Sequence, residues 1–385
     1  MDHLKRVVVR IAQGALIALY GLCRLLPTQQ RVVCLSRQSN QVPLDFVLLK
    51  EQISRDYPDW GVVVLARAMG NKAAYLLHMV RQVYYIATSR AAVLDSYCIV
   101  VSMLGRRLRI PVLQMWHALG LMKRAGYAAL SDAEGRSAET AQLFHMHEGY
   151  TSVLVSAAAF VDDFAVTFNV DPSIVYEAPL PRVDCLVSEE VRRRKRAELV
   201  AAFPVLAEGK TVVYCPTFRT SYGPSDRAAA EALVDACVEA GLNVAYKPHP
   251  VSTMRLADKR VVTDESGCYD LLYAADYVVT DYSTIMYEAG LMGVPVFLYA
   301  YDWDDYRSRR SFELDLETDV PALFTADARV IVRAIEEKDF STEAFTAFVQ
   351  SCIAVPEGET CTERVERHLF RLIEGNETER GGHER

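Results

Sequence analysis

Short, continuously apolar runs alternate with stretches of helical periodicity along most of the chain. The runs predict strands at Val32–Leu35, Val62–Leu65, Tyr84–Ala87, Ile99–Ser102, Val112–Met115, Val153–Ser156 and Ile174–Glu177. Further strands are predicted at Thr211–Cys215, Val244–Lys247, Arg260–Thr263, Tyr277–Thr280 and Val294–Tyr299. Strands that are apolar throughout, rather than alternating, are buried on both faces, as in a parallel sheet covered by helices. Helices are predicted at Leu44–Ser54, Val187–Ala202, Arg227–Ala240, Thr284–Leu291, Ala328–Lys338, Thr342–Cys352 and Thr362–Ile373. This alternation predicts an α/β, doubly wound fold.

A break falls at Pro179–Pro181. The pattern divides the chain into an N-terminal helical segment (1–28), a first α/β domain (29–183), a second (184–355) and a last segment (356–385). That last segment holds a helix packing back and a polar tail. Residues 11–23 carry no charge, follow Lys5, Arg6 and Arg10, and precede Arg24. A run of that length falls short of the ~20 apolar residues that span a bilayer. Val7–Leu26 is therefore read as a helix lying in a membrane interface with its basic residues at the headgroups. The alternative is a helix packed on the protein's own core. The basic run Arg192–Arg196 is read as a solvated helix face or a second membrane-facing patch.

The 385 residues are 51% hydrophobic and 24% charged, which excludes a disordered or collagen-like chain. The net charge of −8 hides an asymmetry. Residues 1–130 hold 17 Lys and Arg against 6 Asp and Glu, and the remainder holds 25 against 44. A basic first third suits an anionic neighbour such as a membrane surface or acidic polymer. No nucleic-acid-binding signature accompanies it. Nine scattered cysteines without a CxxC pair point to free thiols in a reducing compartment.

The chain lacks GxxxxGK[ST], GxGxxG after a strand, GxSxG and HExxH, so the chemistries those motifs carry lose support. Five other segments sit at predicted strand ends, where open α/β sheets bind ligands. Gln114–Lys123 presents His117, a candidate general base, beside Trp116 and Lys123. Tyr214–Arg219 delivers Thr217 and Arg219, the latter a bidentate donor for phosphate. Val244–Pro250 carries Lys247 and His249 on a proline-stiffened loop. Asp276–Glu288 ends a strand at Asp281 and starts a helix at Ser283 or Thr284, an anion site by its free N–H groups, with Glu288 one turn in. Tyr299–Tyr306 is acidic and is read as a solvated loop rather than a metal site. His145 and His147 lack a third ligand, so no metal is expected there.

In order, WHAxGxxKxxGY, YxPTFR, KPHP, DYVVTDYSTIMYE, PVFLYAYDWDDYR and the late Cys361–Arg364 resemble the CDP-glycerol glycerophosphotransferase family, whose members build teichoic acids and related polymers. The resemblance covers residues 30–372. Ala118-Leu119-Gly120 stands where many members have Gly-Thr-Pro.

The resemblance implies a GT-B-like fold of two Rossmann-type domains with a central cleft, in a peripheral enzyme on the cytoplasmic face of the cell membrane. It places His117 and His249 as catalytic. Thr217, Arg219, Lys247, Asp281, Ser283, Thr284, Glu288 and Thr362 fall on the donor side, and Trp116 and Lys123 on the acceptor side. The implied reaction takes a polyol phosphate, glycerol phosphate first, from a CDP-polyol to a hydroxyl of a lipid-linked acceptor and releases CMP. It requires no cofactor or metal, and a homo-oligomer is left open. A GT-B glycosyltransferase using a nucleotide sugar and a membrane-bound scaffold without activity are the rival readings.

Overall fold

The computed structural model describes residues 3–70, 72–219, 222–249, 252, 254–264, 266 and 270–383, with side chains described to residue 378. The chain forms two compact units. The first comprises residues 1–118, 124–182 and 354–385, and the second 119–123 and 183–353.

In the first unit, β1 (Arg31–Ser36), β2 (Gly61–Ala66), β3 (Ala91–Leu94), β4 (Val112–Gln114), β5 (Ser152–Val155) and β6 (Val175–Glu177) form one sheet in the order β2-β1-β3-β4-β5-β6. All its pairings are parallel. Every residue of β1, β3, β4 and β5 is buried, as continuous apolar runs require. Strand order reverses between β1 and β3, the switch point of a flavodoxin-like sheet.

In the second unit, β7 (Thr211–Cys215), β8 (Asn243–Tyr246), β9 (Val261–Thr263), β10 (Tyr277–Thr280), β11 (Val296–Tyr299) and β12 (Leu323–Thr325) run in the order β12-β11-β10-β7-β8-β9. This is again all parallel. Counted from its own first strand, that is the dinucleotide-fold order, with the switch point between β7 and β10. The YxPTFR and TDYS segments leave the sheet at that point.

Two predicted strands are helical. After α2 (Leu44–Asp56), Tyr84–Ala87 ends α3 (Lys72–Thr88), and Ile99–Ser102 opens α4 (Ile99–Leu104). Both runs are apolar on the side that meets the core, and short apolar runs do not separate strand from helix by periodicity. The actual third strand, Ala91–Leu94, carries two alanines that weaken its strand signal.

The N-terminal helix α1 (His3–Cys23) starts four residues earlier than the sequence pattern predicts and ends three earlier. It packs against α3 and α4. Tyr20 is buried in the core with Leu16 and Ile17 beside it, and its hydroxyl accepts from the Arg109 amide at 3.1 Å. Gln13 Nε2 donates to the Met103 carbonyl at 3.0 Å. The stretch Leu4–Cys23 is 20 residues with mean hydropathy 1.5, long and apolar enough to cross a membrane by length and composition. The count of charge-free residues alone missed this, because Lys5, Arg6 and Arg10 interrupt the apolar stretch without ending the helix. Beside it, α3 exposes Leu76, Leu77 and Val80.

The final helix, Cys361–His383, belongs to the first unit, where Phe370 stacks on Tyr57 at 3.6 Å and meets Trp60 edge-on at 4.9 Å. The basic run on the helix Glu189–Ala202 is neither free nor uniformly solvated. Arg192 donates to the Met292 carbonyl, Arg196 to that of Ala274 at 2.7 Å, and Lys195 to Glu198 at 3.1 Å.

Candidate active site

His117 follows β4 on a strained turn. Trp116 adopts φ +62°, a left-handed conformation that costs a bulky residue about 1–3 kcal/mol. Its amide donates to Gln114 Oε1 at 2.9 Å. The imidazole Nδ1 lies 3.0 Å from the Asp95 carbonyl oxygen and 3.1 Å from the Gln38 side-chain amide nitrogen. A carbonyl oxygen only accepts, so Nδ1 carries the proton and donates to Asp95. A protonated Nδ1 requires the Gln38 amide to be assigned with its oxygen toward the ring, its N and O being interchangeable by a flip. Nε2 keeps the lone pair a general base needs.

The backbone beneath is clamped as well. Arg182 Nη2 donates to the His117 carbonyl at 2.8 Å, and Arg182 pairs with buried Asp45 at 2.8 Å. Asp95 is itself buried, and desolvation raises its carboxyl to about 6 against donation from Ser36 and Ser96. Gln38, Asp45, Asp95 and Arg182 were not singled out from sequence. Their partners lie up to 137 positions away, and only the sheet brings them together.

In the second unit, Arg219 is buried rather than presented to solvent. Its Nε and Nη2 donate to the two oxygens of Asp302 at 2.9 and 2.8 Å. Nη1 donates to the Thr217 carbonyl at 3.1 Å and lies 3.0 Å from Asp281, with Asp226 at 3.2 Å from Nε. The guanidinium also faces the Tyr301 ring at 4.9 Å. Burial works against its charge, but Asp281 and Asp302 outweigh it and hold the pKa above the ordinary arginine value.

The Arg219 fork expected to meet a donor phosphate faces carboxylates in this structure. Its planar donors are spent on carboxylates, and it locks the two switch-point loops together. Asp302, read from sequence as part of a solvated loop, is one of those partners. Asp281 Oδ1 accepts from the amides of Thr217 and Tyr282 at 2.8 and 2.7 Å, so Asp281 also shapes the loop.

Lys247 donates to Asp270 at 2.7 Å, and that carboxylate outweighs burial to raise the ammonium above its usual range. Glu288 contributes to the same field. His249 stacks obliquely on Phe218 at 5.6 Å, and partial desolvation, then the charges of Lys123 and Lys247, lower its imidazole. Pro250 lies outside the described residues.

Ser283 and Thr284 precede the helix Ile285–Leu291, and Thr284 makes no side-chain cap bond. That helix has seven residues, one fewer than the Thr284–Leu291 expected.

One assignment moves between units, and a second stays where its segment was expected. Lys123, expected beside His117, belongs to the second unit, where it donates to the Tyr306 hydroxyl at 3.2 Å. It goes there because Leu121 and Met122 are held by Tyr287, whose hydroxyl donates to the Leu121 carbonyl at 2.6 Å, and by the Glu313 amide at 2.9 Å. Thr362, expected on the donor side, lies buried at the start of the final helix in the first unit.

Residues 19–371 match the model of the CDP-Glycerol:Poly(glycerophosphate) glycerophosphotransferase family. A teichoic acid ribitol-phosphate primase of Bacillus spizizenii is 30% identical over 379 residues, covering 94% of this chain and 97% of the relative. A teichoic acid glycerol-phosphate primase of Bacillus subtilis is 23% identical over 285 residues, covering 71% of this chain and 73% of the relative. Among solved structures, a variant of the wall teichoic acid polymerase TagF soaked with CDPG superposes with a TM-score of 0.74 at 16% identity, over 97% of this chain and 99% of that one. That likeness, with two parallel-sheet units, makes the fold GT-B-like. Across nearly its whole length, the chain belongs to the CDP-glycerol:poly(glycerophosphate) glycerophosphotransferase family.

Proposed function

We propose that the chain transfers ribitol phosphate from CDP-ribitol to the hydroxyl of an acceptor in teichoic acid synthesis, releasing CMP. His117 Nε2 takes the proton from the acceptor hydroxyl. The oxygen then attacks the phosphorus that carries the polyol, and the bond to the CMP oxygen breaks. The anchoring of His117 by the Asp95 carbonyl carries this reading, because a proton held on Nδ1 leaves Nε2 as the basic nitrogen. Lys247, His249 and the hydroxyls of Thr217, Ser283 and Thr284 serve the diphosphate on the second unit. The choice of ribitol over glycerol rests on the end-to-end likeness to a ribitol-phosphate primase. CMP release measured with CDP-ribitol and CDP-glycerol, each with a lipid-linked acceptor, tests both parts. Faster turnover of CDP-glycerol would overturn the donor choice, and turnover of a nucleotide sugar alone would overturn the reaction class.

The enzyme works at a membrane surface in this reading, on its cytoplasmic face. Support comes from the exposed apolar face of α1, with Leu4 72%, Ile11 67% and Leu22 65% accessible, on a helix whose other face is docked to the first unit. A helix fastened lengthwise by Gln13 and Tyr20 favours lying in the interface over crossing it.

A further inference from the structure

The switch point of the first sheet is basic, and none of its arginines entered the sequence reading. Arg37 leaves β1 and Arg67 leaves β2. Arg37 N donates to Ser96 Oγ at 3.3 Å, and Arg67 N to the Ser36 carbonyl at 3.0 Å, so both backbones are tied to the sheet edge. The Arg37 guanidinium carbon lies 5.2 Å from the centre of the Tyr97 ring. That of Arg136, from a different loop, lies 5.4 Å from the same ring. Tyr97 is buried and is itself held by a bond from its hydroxyl to the Phe144 carbonyl at 3.1 Å.

Two like charges thus share one aromatic ring. Among the described residues no carboxylate forms an ion pair with Arg37, Arg67 or Arg136. At the His117 carbonyl the opposite holds, where Arg182 is matched by Asp45. A fixed ring that gathers two guanidiniums without a counter-ion is an electrostatic vacancy for an anion. Its position is set by chain continuity: Gln38, next to Arg37, touches His117 Nδ1.

We propose that Arg37 and Arg136 form an anion subsite that binds a phosphate group of the acceptor and so delivers its hydroxyl to His117. The proposal rests on the transferase reading above. It names the acceptor by chemistry, as a molecule with phosphate near its attacking hydroxyl. That phosphate could belong to a lipid-linked carrier or to a soluble polyol phosphate. The guanidinium forks suit phosphate oxygens, and Tyr97 keeps them oriented at small entropic cost.

The test compares Arg37→Ala, Arg136→Ala, the double variant and the two lysine replacements in the full chain. CMP release is followed against the donor, a lipid-linked phosphorylated acceptor in vesicles, and a soluble polyol phosphate. A charge-assisted contact of this kind corresponds to roughly a 10- to 100-fold rise in acceptor KM for each alanine variant. The expected pattern is that rise with donor KM unchanged and partial rescue by lysine. A rise for the vesicle acceptor alone assigns the phosphate to the carrier, and a rise for both assigns it to the polyol end. Unchanged acceptor KM, or equal rises for donor and acceptor, would overturn the subsite.

Calorimetric titration with inorganic pyrophosphate, run with CMP saturating the donor side, provides a readout apart from turnover. Absence of CMP release from any CDP-polyol by the wild-type chain defeats the transferase reading, while pyrophosphate binding abolished by the double variant still upholds the anion subsite. Pyrophosphate binding that the double variant retains overturns it.

Discussion

His117 is held at two atoms, its carbonyl by Arg182 and its Nδ1 by Asp95, and it follows the left-handed Trp116. His117→Ala should lower CMP release by about 10²- to 10⁴-fold while leaving donor affinity unchanged, as measured by calorimetry. Arg219 predicts the reverse pattern. Removing a buried guanidinium leaves Asp281, Asp302 and Asp226 facing one another, a loss of about 3–5 kcal/mol. Arg219→Ala should therefore show first as a fall in thermal midpoint, with lost donor binding as a consequence. A variant that melts like the wild type but fails to bind donor would restore Arg219 as a direct ligand. His147 offers a pH test. It is buried, its Nδ1 meets the Tyr150 hydroxyl at 2.9 Å, and desolvation followed by the charges of Arg136 and Arg37 lowers it to about 3. The folded state therefore binds fewer protons than the unfolded state. The stability this ring confers is complete above pH 6.5 and is lost as pH falls from 6.5 toward 3, by up to about 1.4 kcal/mol per unit. Denaturant titrations between pH 4 and 7 should show that slope, and His147→Asn, which tolerates the left-handed backbone found here at φ +64°, should flatten it.

The segment Leu119–Lys123 depends on a glycine. Gly120 has φ +58°, and a Cβ there would lie 2.7 Å from the Tyr287 ring. Gly120→Ala should cost about 1–3 kcal/mol and loosen the loop that carries Lys123, read as lower donor affinity together with a lower thermal midpoint. None of this was visible from the motif, where Gly120 was only a departure from a more common residue. Strands such as Val32–Leu35 and Thr211–Cys215 were legible because continuous burial writes itself as nearly continuous apolarity. Tyr84–Ala87 was misread because a helix pressed on a sheet can present the same aromatic and branched residues to the core. The motifs located the strand ends correctly, since a parallel sheet must place its ligand-facing loops there. What they could not show was allegiance. Arg219 and Asp302 are 83 positions apart, and whether an arginine meets phosphate or carboxylate is decided by which loop the fold lays against it. The same holds for Arg37 and Arg136, which carry no motif at all.

At the scale of the molecule, the basic first third, apart from residues 119–123, and the exposed apolar faces of α1 and α3 lie in one unit. Deleting residues 1–26 should release the protein from anionic vesicles in a sedimentation assay, and raising salt should weaken but not abolish binding of the intact chain. Full co-sedimentation of the truncated protein would move the contact to α3. That deletion also removes Tyr20 from the core, so circular dichroism must show the truncated form folded before the assay is read. The closing helix has a consequence for how the protein is made. Phe370 is the ring on which Tyr57 stacks, yet more than 300 positions separate them. A chain emerging from the ribosome at roughly 5–20 residues per second finishes residues 183–353 before that ring exists. The second unit can therefore fold while the first still waits, with Tyr57 and Trp60 uncovered. The first unit is thus the last to mature, and holding chaperones would be expected to favour it over the second until translation has ended.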